Sequence, residues 1–128
     1  MADTLRTPLA RVRGLGPGRS GAHTWIEERV TSIALLILTP WFVASLILGL
    51  APGHTGFIAW VSQPANAIML VLFSAVSFRH MQLGMRVIIE DYIHKPSTKT
   101  LLLLANSFGC IALTVASVFA ILKVSLGV

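Results

Sequence analysis

Three long apolar runs, separated by short polar stretches, set the pattern of this chain. The first, residues 30–50, contains 21 residues and no charged side chain, enough for a helix of about 32 Å at about 1.5 Å per residue. The third, residues 101–122, is also free of charge and ends before Lys123. Runs of this length and composition are typical of helices that cross the roughly 30 Å hydrocarbon layer of a membrane.

The second apolar run has two candidate boundaries. Hydropathy alone favours the uncharged window 57–78. Pro64 instead favours a new helix that starts near Ala65, because proline begins helices more readily than it continues them. We choose residues 65–90 as the second span and residues 51–64 as the loop before it. This choice places Arg79 and His80 within the membrane.

Composition supports the same class of protein. Of the 128 residues 55% are hydrophobic, and the mean hydropathy is +0.79, which is too apolar for an ordinary soluble domain. The formal net charge is +5, but the basic residues flank the apolar runs and form no separate domain, so we exclude nucleic acid as a partner. The predicted fold class is an all-α membrane protein with three transmembrane helices in a lipid bilayer.

The positions of the basic residues predict the orientation of the chain. The Arg-rich segment 1–29, predicted as an arm that ends in a short interfacial helix, and the loop 91–100 should lie on the cytoplasmic side, or on the matrix side in a mitochondrion. Loop 51–64, which has no Lys, Arg, Asp or Glu, and the tail 123–128 should face the outer compartment. The arm shows no obvious amphipathic transit helix. We therefore expect the bacterial inner (cytoplasmic) membrane, with the mitochondrial inner membrane as the alternative.

One face of the second span carries an imidazole, a glycine and a carboxylate. At about 100° per residue, a single stripe of the helix contains Phe73, Ser77, His80, Gly84, Val87 and Asp91. His80 lies about 16 Å along the helix from Asp91, well inside the hydrocarbon layer if Asp91 is at the interface. A histidine at that depth either hydrogen-bonds a neighbouring helix or binds a cofactor. If the cofactor is haem, Gly84 removes a side chain that would collide with the flat macrocycle.

The spacing of these residues resembles that of a known family. His80, Gly84, Asp91 and Tyr92 follow the pattern H-x3-G-x6-D-Y, and residues 18–23 with Arg29 follow the pattern G-R-x-G-x-H…R. Together with the three apolar runs, these motifs resemble the small membrane-anchor subunits of succinate dehydrogenase, respiratory complex II. The resemblance covers nearly the whole chain.

The resemblance implies a site that is shared with other subunits. His80 would be one axial ligand of the iron of haem b, and a large cytochrome b anchor subunit would supply the other. Gly84 would lie beside the cofactor, and Arg29 would lie close to the haem propionates or the quinone pocket. Tyr92 would donate its hydroxyl to a carbonyl oxygen of ubiquinone, and Asp91 would hold a basic group and help to deliver protons. An iron-sulfur subunit would complete the quinone site, and a flavoprotein subunit would oxidise succinate elsewhere. The chain alone would catalyse nothing.

Other interpretations of the same residues stay open. A small proton-coupled transporter or channel subunit could use His80, Arg79 and Asp91 as a relay, although three spans form no inverted repeat. A structural anchor without haem would use His80 for packing only. Arg29 either snorkels from the start of the first span or lies beside the cofactor. Arg79 either snorkels or reaches a carboxylate or propionate on the partner chain.

Overall fold

The computed structural model describes residues 7–13, 19–48 and 53–127, and these residues form helices and short connections without a strand. The helices are α1 (Pro8–Val12), α2 (Arg19–Leu48), α3 (His54–Val61), α4 (Pro64–Tyr92) and α5 (Pro96–Leu126). Three of them, α2, α4 and α5, are long and apolar enough to cross a membrane. The prediction of an all-α protein with three spans is confirmed. Gly18 of the N-terminal motif and residues 51 and 52 of the predicted outer loop lie outside the described residues.

Proline and glycine mark the ends of the long helices. Pro64 and Pro96 are the first residues of α4 and α5, where the missing N–H of proline costs no helical hydrogen bond. Gly127 ends α5 with a φ of 70°, a left-handed conformation that glycine adopts without a steric penalty. Helix α2 continues through Pro40.

The helix bounds differ in detail from the predicted segments. Helix α2 begins at Arg19 and has no break near residue 30, so the segment proposed as a separate interfacial helix is joined to the first span. Helix α4 reaches Tyr92, so Asp91 and Tyr92 are its last residues and not part of the following loop. Residues 54–61 form a helix of their own before α4.

Helix α4 lies in the middle of the fold. It packs against both α2 and α5, whereas the backbones of α2 and α5 do not come close to each other over the described ranges. The rings of Phe42 on α2 and Phe73 on α4 stack with centroids 4.8 Å apart. On the other side, Nδ2 of Asn106 on α5 donates to the carbonyl oxygen of Gln82 on α4 at 2.9 Å. The three spans therefore form an open layer and not a closed bundle.

Few apolar side chains are buried by the chain itself. Among the residues whose burial the structure describes, the buried ones are Leu38, Trp60, Val61, Ala67, Leu83, Ile89 and Cys110. Many other large apolar side chains point outward, such as Leu36 on α2 and Phe119 on α5. An apolar outer surface of this extent needs lipid or another subunit to cover it.

Candidate functional site

His80 lies on the side of α4 that faces α2. Its side chain is half-buried, and its Nδ1 is 2.9 Å from Oγ1 of Thr31 on α2. The same Oγ1 lies 2.9 Å from the carbonyl oxygen of Glu27 and 3.0 Å from that of Glu28. Within the part of the chain that the structure describes, Nε2 of His80 takes part in no hydrogen bond. One ring nitrogen is therefore fixed to α2, and the other is available to a ligand.

Gly84 lies one turn further along α4, on the same stripe as His80. A Cβ atom built on Gly84 would meet no side chain within 4 Å, so this chain leaves open space beside the imidazole. An axial ligand of haem iron needs an imidazole nitrogen with a free lone pair and room for the macrocycle next to it. His80 meets the first requirement among the described residues, and the open space at Gly84 is compatible with the second.

Arg79 pairs with an acidic side chain of its own chain. Its Nη2 donates to Oε2 of Glu27 on α2, and its Nη1 donates to Oε1 of Gln82 at 2.8 Å. The charge of Arg79 is therefore balanced within this subunit. Of the alternatives considered for Arg79, the structure favours contact with a carboxylate, but the carboxylate belongs to α2 and not to a partner chain.

Asp91 and Tyr92 are exposed at the end of α4, with Tyr92 75% exposed. Two nearby basic side chains bind Glu90 instead. Nε of Arg86 donates to its carboxylate at 2.7 Å, and Nζ of Lys99 donates to its carbonyl oxygen at 2.7 Å. Neither Asp91 nor Tyr92 forms a side-chain hydrogen bond or ion pair with any described residue. Both side chains are accessible to a ligand or to another subunit.

Arg29 is not brought together with His80. Its guanidinium lies over the ring of Trp25, 5.4 Å from the centroid, and the side chain is exposed. At about 100° per residue, Arg29 lies about 160° around α2 from Thr31, the residue that contacts His80. Arg29 therefore lies on a different side of α2 from the residue that contacts His80.

A cleft of about 280 Å³ lies between the start of α2 and the end of α4. Its walls are formed by Gly21, Thr24, Trp25, Glu28, Arg86, Val87 and Glu90. The two sequence motifs lie on these two helix ends, so the fold brings the motifs next to each other. Asp91 and Tyr92 follow directly after Glu90 but do not line the cleft.

Comparison with known proteins assigns the chain to a family. The family model for the succinate dehydrogenase/fumarate reductase transmembrane subunit matches residues 3–122, nearly the whole chain. The chain belongs to this family. The resemblance found in the motifs of the sequence is thereby confirmed at the level of the family.

Individual relatives agree with this assignment. The succinate dehydrogenase hydrophobic membrane anchor subunit of Rickettsia prowazekii is 32% identical over 121 residues, which cover 94% of this chain and 97% of the relative. The subunit of the same name from Paracoccus denitrificans is 30% identical over 122 residues, 94% of this chain and 93% of the relative. No solved structure gives a significant match. This member of the succinate dehydrogenase/fumarate reductase family is a multi-pass membrane protein.

The sequence-based prediction missed two residues of α2 that contact α4. Neither Thr31 nor Glu27 was among the predicted site residues. Glu27 and Thr31 are four residues apart on α2, so they lie one turn apart on one face, and they contact the consecutive residues Arg79 and His80. The available signal in the sequence was that Glu27 and Thr31 are spaced one helical turn apart, and that the next span contains the ionisable pair Arg79 and His80.

Proposed function

We propose that this member of the family is the small anchor subunit of a succinate:ubiquinone oxidoreductase in a bacterial inner membrane. It tethers the flavoprotein and iron-sulfur subunits to the bilayer, holds one side of haem b and forms part of the ubiquinone-reduction site. The N-terminus and the loop between α4 and α5 face the cytoplasm, as the distribution of Lys and Arg indicates. The names of the relatives support the anchor role.

The observation that carries the haem proposal is the environment of His80. One ring nitrogen is held by Thr31, the other has no partner among the described residues, and the space beside Gly84 is open. Nε2 would bind the iron on one side of haem b, and the large cytochrome b anchor subunit would bind it on the other. When bound, haem supplies a one-electron redox centre within the bilayer.

The proposal for the quinone site concerns the end of α4. The exposed hydroxyl of Tyr92 would donate a hydrogen bond to a carbonyl oxygen of ubiquinone. Asp91 would hold a basic group of another subunit, because Arg86 and Lys99 already bind Glu90. Arg29 would act beside Trp25, on a side of α2 away from Thr31, where a partner subunit brings the cofactor or the quinone near it.

The contacts give no support to a proton relay through Arg79, His80 and Asp91. Arg79 is paired with Glu27, and His80 contacts Thr31. Asp91 lies about 16 Å further along α4, and no hydrogen bond among the described residues connects it to either of them. A transporter or channel function is therefore not proposed.

The test is a spectrum of the intact complex with a matched pair of histidine variants. We expect a sharp low-spin b-type band in the reduced-minus-oxidised spectrum of the wild-type complex. His80→Leu should abolish the band, whereas His54→Leu, a change of an exposed histidine at the start of α3, should leave it intact. A complex that contains all subunits but no band, or a band that survives in His80→Leu, would refute haem ligation and leave a purely structural anchor.

A further inference from the structure

The hydroxyl of Thr31 has three possible hydrogen-bond partners and a single proton. Oγ1 lies within 3.0 Å of two backbone carbonyl oxygens of α2, those of Glu27 and Glu28, and 2.9 Å from Nδ1 of His80. A hydroxyl donates one hydrogen bond and can accept two. The carbonyl oxygens can only accept, whereas Nδ1 of a neutral imidazole donates in one tautomer and accepts in the other.

Counting donors and acceptors decides between the two tautomers. If Thr31 donates to Nδ1, its contacts with both carbonyl oxygens lack a hydrogen. If Thr31 donates to a carbonyl oxygen of α2, as threonines in helices commonly do, then Nδ1 of His80 can donate to Oγ1 at the same time. Only in the second arrangement are two hydrogen bonds formed, one from Thr31 to a carbonyl oxygen of α2 and one from Nδ1 of His80 to Thr31. In surroundings of low dielectric constant, the arrangement with more satisfied polar groups is favoured.

We propose that Thr31 is a positioning residue that keeps His80 protonated on Nδ1, so that the lone pair of Nε2 points away from α2 and toward the haem iron. This inference rests on the haem ligation proposed above. Partners that bind the second nitrogen of a ligating histidine fix its tautomer and ring orientation and raise its basicity. Thr31 would have all three effects although it belongs to a different helix.

Two other contacts keep Thr31 in place against His80. The Glu27–Arg79 ion pair lies one turn of α2 earlier, and the stacked rings of Phe42 and Phe73 lie about three turns later. Both contacts join α2 to α4. They prevent the two helices from sliding along each other, so the hydroxyl of Thr31 remains within hydrogen-bond distance of Nδ1.

The chain offers a matched set of variants for the test. Thr31→Val removes the hydroxyl but keeps the shape of the side chain, and Thr31→Ser keeps the hydroxyl. Thr31→Ala is a second variant without the hydroxyl, to be used if valine disturbs the packing against α4. The control is Thr114→Val on α5, because Thr114 donates to the carbonyl oxygen of Cys110 at 2.8 Å and does not contact His80.

The measurements are made on the purified complex with its resident haem. Electron paramagnetic resonance of the oxidised haem reports the orientation and hydrogen bonding of the axial imidazole, and capture by excess apomyoglobin reports how fast haem is lost. We expect Thr31→Val to shift the low-spin signal and to speed haem loss about 10- to 100-fold, the usual effect of removing such a partner. Thr31→Ser and Thr114→Val should behave as the wild type does. Complete loss of haem from Thr31→Val but not from Thr31→Ser would also support the proposal.

Two results would overturn the proposed role of Thr31. One is a Thr31→Val complex whose signal and rate of haem loss equal those of the wild type. The other is a Thr31→Ser complex as defective as Thr31→Val, because shape and not the hydroxyl would then matter. His80→Leu, measured alongside, separates the two proposals. Loss of haem from His80→Leu together with a normal Thr31→Val refutes the role of Thr31 alone, whereas haem that survives in His80→Leu refutes both proposals.

Discussion

Larger side chains at Gly84 are expected to prevent haem binding without harming the fold of this chain. A Cβ atom at Gly84 meets no side chain within 4 Å, so Gly84→Ala causes no clash within the subunit. Alanine is also about 0.5 to 1 kcal/mol more favourable than glycine in the interior of a helix. In the chain without haem, the substitution should therefore raise the equilibrium constant for forming α4 by a factor of about two to five.

The bound macrocycle reverses the sign of this effect. Overpacking of a well-filled site costs about 1 to 3 kcal/mol, which corresponds to haem affinity about 5- to 150-fold lower. Gly84→Ala should therefore lower the haem content of the complex, and Gly84→Leu should abolish it. The assay is the ratio of haem to protein in the purified complex, together with the amount of this subunit in the membrane.

Gly109 on α5 provides the control for helix propensity. A Cβ atom built there also meets nothing within 4 Å. Gly109→Ala and Gly109→Leu therefore change helix propensity as the Gly84 substitutions do, but at a site away from His80. We expect these variants to keep a full complement of haem. The reasoning would be refuted by a Gly84→Leu complex with normal haem content, or by equal loss of haem from the Gly84 and Gly109 variants.

Three further predictions concern the ends of α2 and α4. Tyr92→Phe should raise the KM for ubiquinone about two- to twelvefold, because one hydrogen bond of about 0.5 to 1.5 kcal/mol is lost. The haem band should be unchanged, and a normal KM would show that Tyr92 is not part of the quinone site. Asp91→Asn should slow succinate-driven quinone reduction by about 100-fold or more and alter its pH profile, because positioned proton transfer is lost. Wild-type rates across the pH range would contradict this role. Glu27→Arg and Arg79→Glu should each lower the thermal stability of the complex. The double variant should recover about 0.2 to 1 kcal/mol of that stability, as is typical of partly exposed ion pairs. Purely additive losses would show that the ion pair contributes nothing.

The sequence was most informative about features that depend on one helix at a time. The length and apolar character of the spans, the start of α4 at Pro64 and the common stripe of His80 and Gly84 follow from helical periodicity and from the geometry of proline. The motif that ends in Asp91 and Tyr92 was sufficient to indicate the family. These properties are local, so they could be predicted without knowledge of how the helices pack.

The contacts between α2 and α4 could not be predicted in the same way. They depend on how far the two helices slide and rotate relative to each other, which periodicity within each helix leaves undetermined. The partner of Arg79 was therefore left open, and no contact was predicted for Thr31. In the structure, Ser32 and Ser45 bond only to carbonyl oxygens of their own helix, whereas Thr31 also reaches His80.

The open layer also determines what each helix meets during synthesis. Helix α2 packs against α4, whereas its backbone does not come close to that of α5 over the described residues. Helix α2 therefore has no helix to pack against until α4 has been made. At about 5 to 20 residues per second, the ribosome needs roughly 2 to 9 seconds to extend the chain from Leu48 to Tyr92. Helix α5 finds α4 already in the bilayer. Helix α2 therefore depends on its own apolar character to stay in the bilayer until α4 arrives, and substitutions that reduce this character should lower the amount of inserted protein measured in the membrane.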